Sequence, residues 1–125
     1  MNATVKNHYY IYLGKERGKR NIYKVGRTTQ TCWARCKNSD YLIGLGVDIQ
    51  MPPSASSWSE FVWAEEMIIK TFAKNFAKAH GNEYFKTQWS WDRIKELFMS
   101  EIISYLEQKG FTYTIHYGWV APHTY

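Results

Sequence analysis

Two clusters of side chains in this sequence have the type and spacing to do chemistry. The first lies on what reads as a two-stranded hairpin. Tyr10 and Tyr12 stand on its first strand, Tyr23 and Lys24 on its second, with Gly26 and Arg27 just beyond. Residues two apart on a strand share a face, so Tyr10 and Tyr12 point one way while Tyr23 points opposite to Lys24. Neighbouring strands lie about 4.8 Å apart, which puts a phenol and an ammonium on one face within contact reach. A free phenol, with a pKa of about 10, is a poor base at neutral pH. An ammonium beside it favours the phenolate and makes it a better one. Tyrosines on a hairpin usually do no more than pack, and basic residues at a strand end are usually solvated. The joint pattern of Tyr12, Lys24, Gly26 and Arg27 points to function.

The second cluster is a carboxylate in the wrong place. In Trp63-Ala64-Glu65-Glu66-Met67-Ile68-Ile69-Lys70 the apolar positions repeat at helical spacing. With Phe61 at zero, Glu65 lies at roughly 40° on the wheel and Glu66 at roughly 140°. Glu65 therefore sits within the apolar face and Glu66 on its flank. A carboxylate there costs several kcal/mol unless it is paired or binds metal. The bland alternative is a buried salt bridge, with Arg35 as its partner.

The elements that position these groups follow from pattern and punctuation. Tyr9–Leu13 and Ile22–Val25 read as antiparallel strands around the basic turn Gly14–Asn21, and Gly26 ends the second. Thr31 caps a short helix over 32–37. A third strand is expected over Val47–Met51, stopped by Pro52-Pro53. The longest periodic segment, Trp58–His80, places Phe61, Ala64, Ile68, Ile69, Phe72 and Phe76 on one face, and Gly81-Asn82 closes it. After a brief extended Glu83-Tyr84-Phe85, a second helix runs from Trp91 to Lys109 with Ile94, Leu97, Phe98, Ile102 and Leu106 inward. Gly110 stops it, and Phe111–Tyr117 reads as a last strand. This order implies an α+β fold, with a small, mainly antiparallel three-stranded sheet flanked by helices.

Composition sets the bounds. The chain has 125 residues, 45% hydrophobic and 22% charged, which suits a single globular domain spanning 1–125. No apolar run approaches the roughly 20 residues of a membrane span. The N-terminus lacks a signal-peptide core, so an intracellular setting is expected, in cytoplasm or nucleus. Sixteen Lys plus Arg against eleven Asp plus Glu give +5 and a pI near 9.2, a field that favours a polyanionic partner. Cys32 and Cys36 have no second Cys or His pair to complete a zinc site, and both read as free thiols.

Tyr10-Ile11-Tyr12 and Tyr23-Lys24-Val25-Gly26-Arg27-Thr28 resemble the two signature strands of the GIY-YIG nuclease superfamily. The match is to the viral and phage branch whose second motif reads Tyr-Lys-Ile-Gly-Arg-Thr. The resemblance spans Tyr9 to Phe85. It puts Tyr12 at the first-motif tyrosine, with Tyr10 one register away. Lys24 falls at the second-motif tyrosine, a place where some restriction-enzyme relatives carry lysine. Arg35 falls near the family's arginine, one residue later after the glycine than usual. Glu65 matches the family's helical, metal-binding glutamate, with Glu66 as competitor. Gly81-Asn82-Glu83-Tyr84-Phe85 resembles the Gly-Glu-Trp-Phe piece that follows this helix, which brings Asn82 and Glu83 into consideration; a helix cap and turn is the plainer reading of Asn82.

The resemblance implies a DNA endonuclease that leaves 5′-phosphate and 3′-hydroxyl ends. Tyr12 would take a proton from water, or position that water, with Lys24 supporting the phenolate. Arg35 and Arg27 would grip the phosphate, and Glu65 would hold Mg2+ or Mn2+. Lys15, Arg17, Lys19 and Arg20 in the basic turn, next to the site, and Lys37, Lys70 and Lys74 would contact the backbone of double-stranded DNA. A free-standing enzyme of this kind is weakly specific, a homodimer, or reliant on loops. Two other readings compete: a catalytically inactive nucleic-acid binder of the same fold, and a protein-interaction module using Trp58, Trp63, Trp89 and Trp119.

Overall fold

The computed structural model describes residues 9–29, 41–50 and 57–117. Tyr10–Glu16 forms β1 and Ile22–Thr28 forms β2. They pair antiparallel with Tyr12 opposite Gly26, Leu13 opposite Val25 and Gly14 opposite Lys24. Both strands outrun their expected ends. Gly14, Lys15 and Glu16 belong to β1, and β2 continues through Gly26, so that glycine sits inside the strand rather than stopping it. The shortened turn relies on left-handed backbone at Gly18 (φ 68°) and Asn21 (φ 63°), conformations that these two residue types tolerate best.

The remaining elements are β3 (Tyr41–Gln50), α1 (Ser57–Asn75), β4 (Ala77–His80), β5 (Tyr84–Lys86), α2 (Trp91–Lys109) and β6 (Thr112–Tyr117). The fold is α+β. Its sheet has six strands in the order β4-β5-β2-β1-β3-β6, and each pairing is antiparallel. The expectation of three strands is therefore corrected.

The added strands are β4 and β5 at one edge and β6 at the other. Ala77-Lys78-Ala79-His80 has helix-forming composition, yet it pairs with β5 across a turn in which Gly81 takes φ 59°. Tertiary pairing overrides propensity there, and α1 ends at Asn75, five residues before His80. β3 also begins earlier than expected, at Tyr41. Gly44, inside this strand, faces the indole of Trp91, where a Cβ would overlap the ring. The expected helix over 32–37 lies outside the described residues.

Both helices cover one face of the sheet. Ile11, Leu13, Val25, Leu45, Val47 and Ile49 meet Phe61, Ala64, Ile68 and Phe72 of α1 and Ile94, Phe98, Ile102 and Leu106 of α2 in one core. Each of the larger of these side chains contributes about 1.5–3 kcal/mol by leaving water. Ile69 and Leu97, expected inward, are only partly buried. Ser90 caps α2 by accepting the Arg93 amide at 3.2 Å, and Gly110 closes it at φ 75°. On the opposite face Tyr10, Tyr12, Tyr41 and Ile43 form a second, smaller cluster. No helix among the described residues is long and apolar enough to cross a membrane.

Candidate active site

β5 covers the outer side of β2 only from Ile22 to Lys24. The Val25 amide then donates to the Glu83 carbonyl at 3.0 Å. Beyond it β5 no longer pairs with β2, and a cleft of about 370 Å³ opens there. Side chains from both faces of β2 reach this cleft, Lys24 and Thr28 from one and Arg27 from the other.

On the first face, the Lys24 ammonium donates to the Tyr12 hydroxyl at 3.0 Å and to Glu83 Oε2 at 3.1 Å. It also lies 4.5 Å from the centre of the Tyr41 ring. The Tyr12 and Tyr41 hydroxyls are hydrogen-bonded at 2.7 Å, and their rings stack at 5.5 Å. Tyr12 shows no surface to water, while Lys24 is 5% exposed. Water entering the cleft therefore meets Lys24 and Glu83 first. Gly26, paired with Tyr12, makes room for this arrangement: a Cβ on it would overlap the Tyr12 hydroxyl and crowd the Lys24 ammonium.

On the second face, Arg27 donates to Glu65 Oε1 at 2.6 Å. Glu65 is 3% exposed. Burial pushes its carboxyl above the ordinary range; the Arg27 charge opposes this, Glu83 reinforces it, and Lys24 opposes it weakly. Trp58, Phe61 and Glu65 lie on one side of α1 at spacings of three and four, and all three line the cleft. The Arg27 guanidinium sits 5.5 Å from the Trp58 ring centre. Two cations and two carboxylates thus alternate around one space.

No protein-family model, curated protein or solved structure matches this chain.

Of the residues singled out from sequence, Tyr12, Lys24, Arg27, Glu65 and Glu83 come together in the cleft. Tyr10 is buried outside its lining, edge-on to His116 at 5.7 Å. Tyr23 faces the helices, stacked on Trp91 at 5.9 Å, and burial pushes its phenol upward. Glu66 is exposed in a separate groove with Trp63, Lys70 and Lys74. Asn82 is also exposed and accepts from Lys78 at 3.3 Å. The basic turn is not beside the cleft. Lys15, Lys19 and Arg20 line a small pocket of their own with Tyr23, toward the turn end of the hairpin, and Arg17 does not line the cleft either. Arg35 and Lys37 lie outside the described residues.

Tyr41 was not legible as a site residue. Its only local signal is the short apolar run Tyr41-Leu42-Ile43, and antiparallel pairing with β1 is what brings it to Tyr12. Among the described residues no three His, Cys, Asp or Glu side chains are grouped to hold a metal. A water-rich magnesium site needs less, one or two carboxylates. Glu65 fits that need, a carboxylate whose Oε1 takes Arg27 and leaves Oε2 to supply a metal ligand. Glu65 itself lines the cleft.

Proposed function

We propose that this chain is a metal-dependent DNA endonuclease with a GIY-YIG-like active site, hydrolysing phosphodiester bonds to leave 5′-phosphate and 3′-hydroxyl ends. The supporting observation is that Tyr12, Lys24, Arg27 and Glu65, drawn from β1, β2 and α1, line one cleft. Hydrolysis needs an activated water, positive charge against the phosphorane and a stabilised leaving oxygen. A water held at Lys24 gives its proton to the amino group as the ammonium passes one to the Tyr12 phenolate, 3.0 Å away. Lys24 stabilises the charge on the phenolate oxygen, Tyr41 donates to the same oxygen, and Glu83 holds Lys24 in place. Arg27, with a side chain 31% exposed, has the freedom to turn from Glu65 to a phosphate oxygen. Arg35 is proposed as a second grip. Magnesium or manganese on Glu65 would supply Lewis-acid stabilisation of the leaving oxygen. The substrate proposed is double-stranded DNA met inside the cell, bound by a monomer or a homodimer, with Lys70 and Lys74 as outer phosphate contacts.

One observation favours the catalytically inactive binder. The Arg27–Glu65 pair, at 2.6 Å, already satisfies both charges. Supercoiled plasmid incubated with the purified protein separates the two readings. Nicking in magnesium and none in EDTA is expected of the enzyme. Salt-dependent binding without nicking under any divalent metal would identify the binder.

A further inference from the structure

Three large apolar side chains among the described residues are conspicuously exposed: Trp58 at 53%, Trp63 at 54% and Tyr117 at 63%. Trp58 alone of these lines the cleft. Its edge is braced by Phe61, whose ring stands at 65° to it with centres 5.6 Å apart, and Arg27 lies over it. The indole is therefore held in place while about half of it faces solvent, at the mouth of a space whose inner groups are Lys24 and Glu65.

Those inner groups are nearly buried, at 5% and 3% exposure. A scissile phosphate must descend to reach them. The cleft, at about 370 Å³, falls at the small end of the roughly 300–1,000 Å³ typical of small-ligand sites, room for about one nucleotide. A phosphate that enters so small a space draws its own sugar and base out of the helical stack. Unstacking costs least where the base is already unpaired. An aromatic face at the mouth restores the lost stacking without regard to base identity.

We infer that Trp58 is a stacking platform for an unpaired base next to the scissile phosphate, so that the cleft selects DNA carrying a bulged or mismatched nucleotide over a fully paired duplex. The inference rests on the phosphodiesterase reading for its cleavage arm, but not for its binding arm.

The binding arm uses the full chain in EDTA with a duplex bearing a single bulged 2-aminopurine, whose fluorescence falls when it stacks. Quenching is expected with the unaltered protein and with Trp58→Phe. Trp58→Ala should lose the quenching and bind this duplex roughly tenfold more weakly. Tyr117→Ser, which removes an exposed ring far from the cleft lining, should behave as the unaltered protein. The cleavage arm compares bulged and paired duplexes of one sequence in magnesium. The bulged duplex should be cut roughly tenfold faster, and Trp58→Ala should bring the ratio close to one. Equal cutting by the unaltered protein, or a ratio and quenching that survive Trp58→Ala, overturns the inference. If neither duplex is cut while quenching still depends on Trp58, the phosphodiesterase reading fails and the platform stands.

Discussion

The Lys24 ammonium lies 3.0 Å from the Tyr12 hydroxyl and 3.1 Å from Glu83 Oε2, tying β1 to the turn before β5. One cation thus serves two groups that are able to carry negative charge. Removing any member of the trio changes the other two, and their roles are separable only by combining substitutions.

Tyr12→Phe and Lys24→Ala should each slow DNA cleavage roughly 100-fold or more, the scale of a positioned acid–base group. The double variant should lose little beyond the worse single one, because groups acting as a unit are non-additive. Single-turnover rates on one oligonucleotide duplex measure this. Two multiplying losses would mean independent roles for the phenol and the ammonium.

Glu83 has a side chain 41% exposed, against 7% for Lys24. As an orienting group it should matter less than Tyr12, and Glu83→Gln should cost roughly tenfold. A loss larger than that of Tyr12→Phe would transfer the base to Glu83, the carboxylate that incoming water meets first. Tyr41→Phe removes the 2.7 Å bond to Tyr12 and is expected to lower the rate with the fold intact by circular dichroism.

Glu65→Gln should abolish magnesium-dependent cleavage while leaving the protein at least as stable. The carboxyl's raised pKa, caused first by burial, means that the charged form is disfavoured in the folded state. The amide keeps an acceptor for Arg27 without that burial cost. A melting temperature unchanged or raised by about 2–4 °C is expected. A fall of more than that would make Glu65 chiefly a structural ion-pair partner.

Gly26→Ala places a methyl group against the Tyr12 hydroxyl and the Lys24 ammonium. Overpacking of this kind costs about 1–3 kcal/mol, to be read from urea unfolding. Here it also displaces the proposed base, so activity should fall further than stability. Full activity in a folded Gly26→Ala protein would show that Tyr12 has no fixed catalytic position.

Tyr105 donates to Glu60 Oε2 at 2.7 Å. Burial, then that hydrogen bond, then the Glu60 charge hold its phenol above the usual tyrosine range. The folded state keeps a proton that the unfolded chain loses above about pH 10. The resulting stabilisation is complete below that pH and is lost as pH rises through the folded value. Unfolding free energies at pH 8 and pH 10.5 should therefore fall more steeply for the unaltered protein than for Tyr105→Phe. Parallel slopes would place the Tyr105 proton outside this linkage.

Short-range pattern was enough to determine much of this protein. Alternation and turn chemistry specify the β1–β2 hairpin and put Tyr12 and Lys24 on one face, because strand periodicity is local. Helical periodicity specifies both apolar faces and marks Glu65 rather than Glu66 as the carboxylate that turns inward. Tertiary structure decided what no local window contains. Pairing with β5 made a strand of Ala77–His80, against its composition. Pairing of β3 with β1 carried Tyr41 to Tyr12. The partner of Glu65 among the described residues is Arg27, across 38 positions of sequence. The cleft that gathers side chains from both faces of β2 and Trp58 of α1 opens beyond Lys24, where β5 stops pairing. Such contacts depend on where separate elements meet, and that is set by burial of the whole core rather than by any segment's own periodicity.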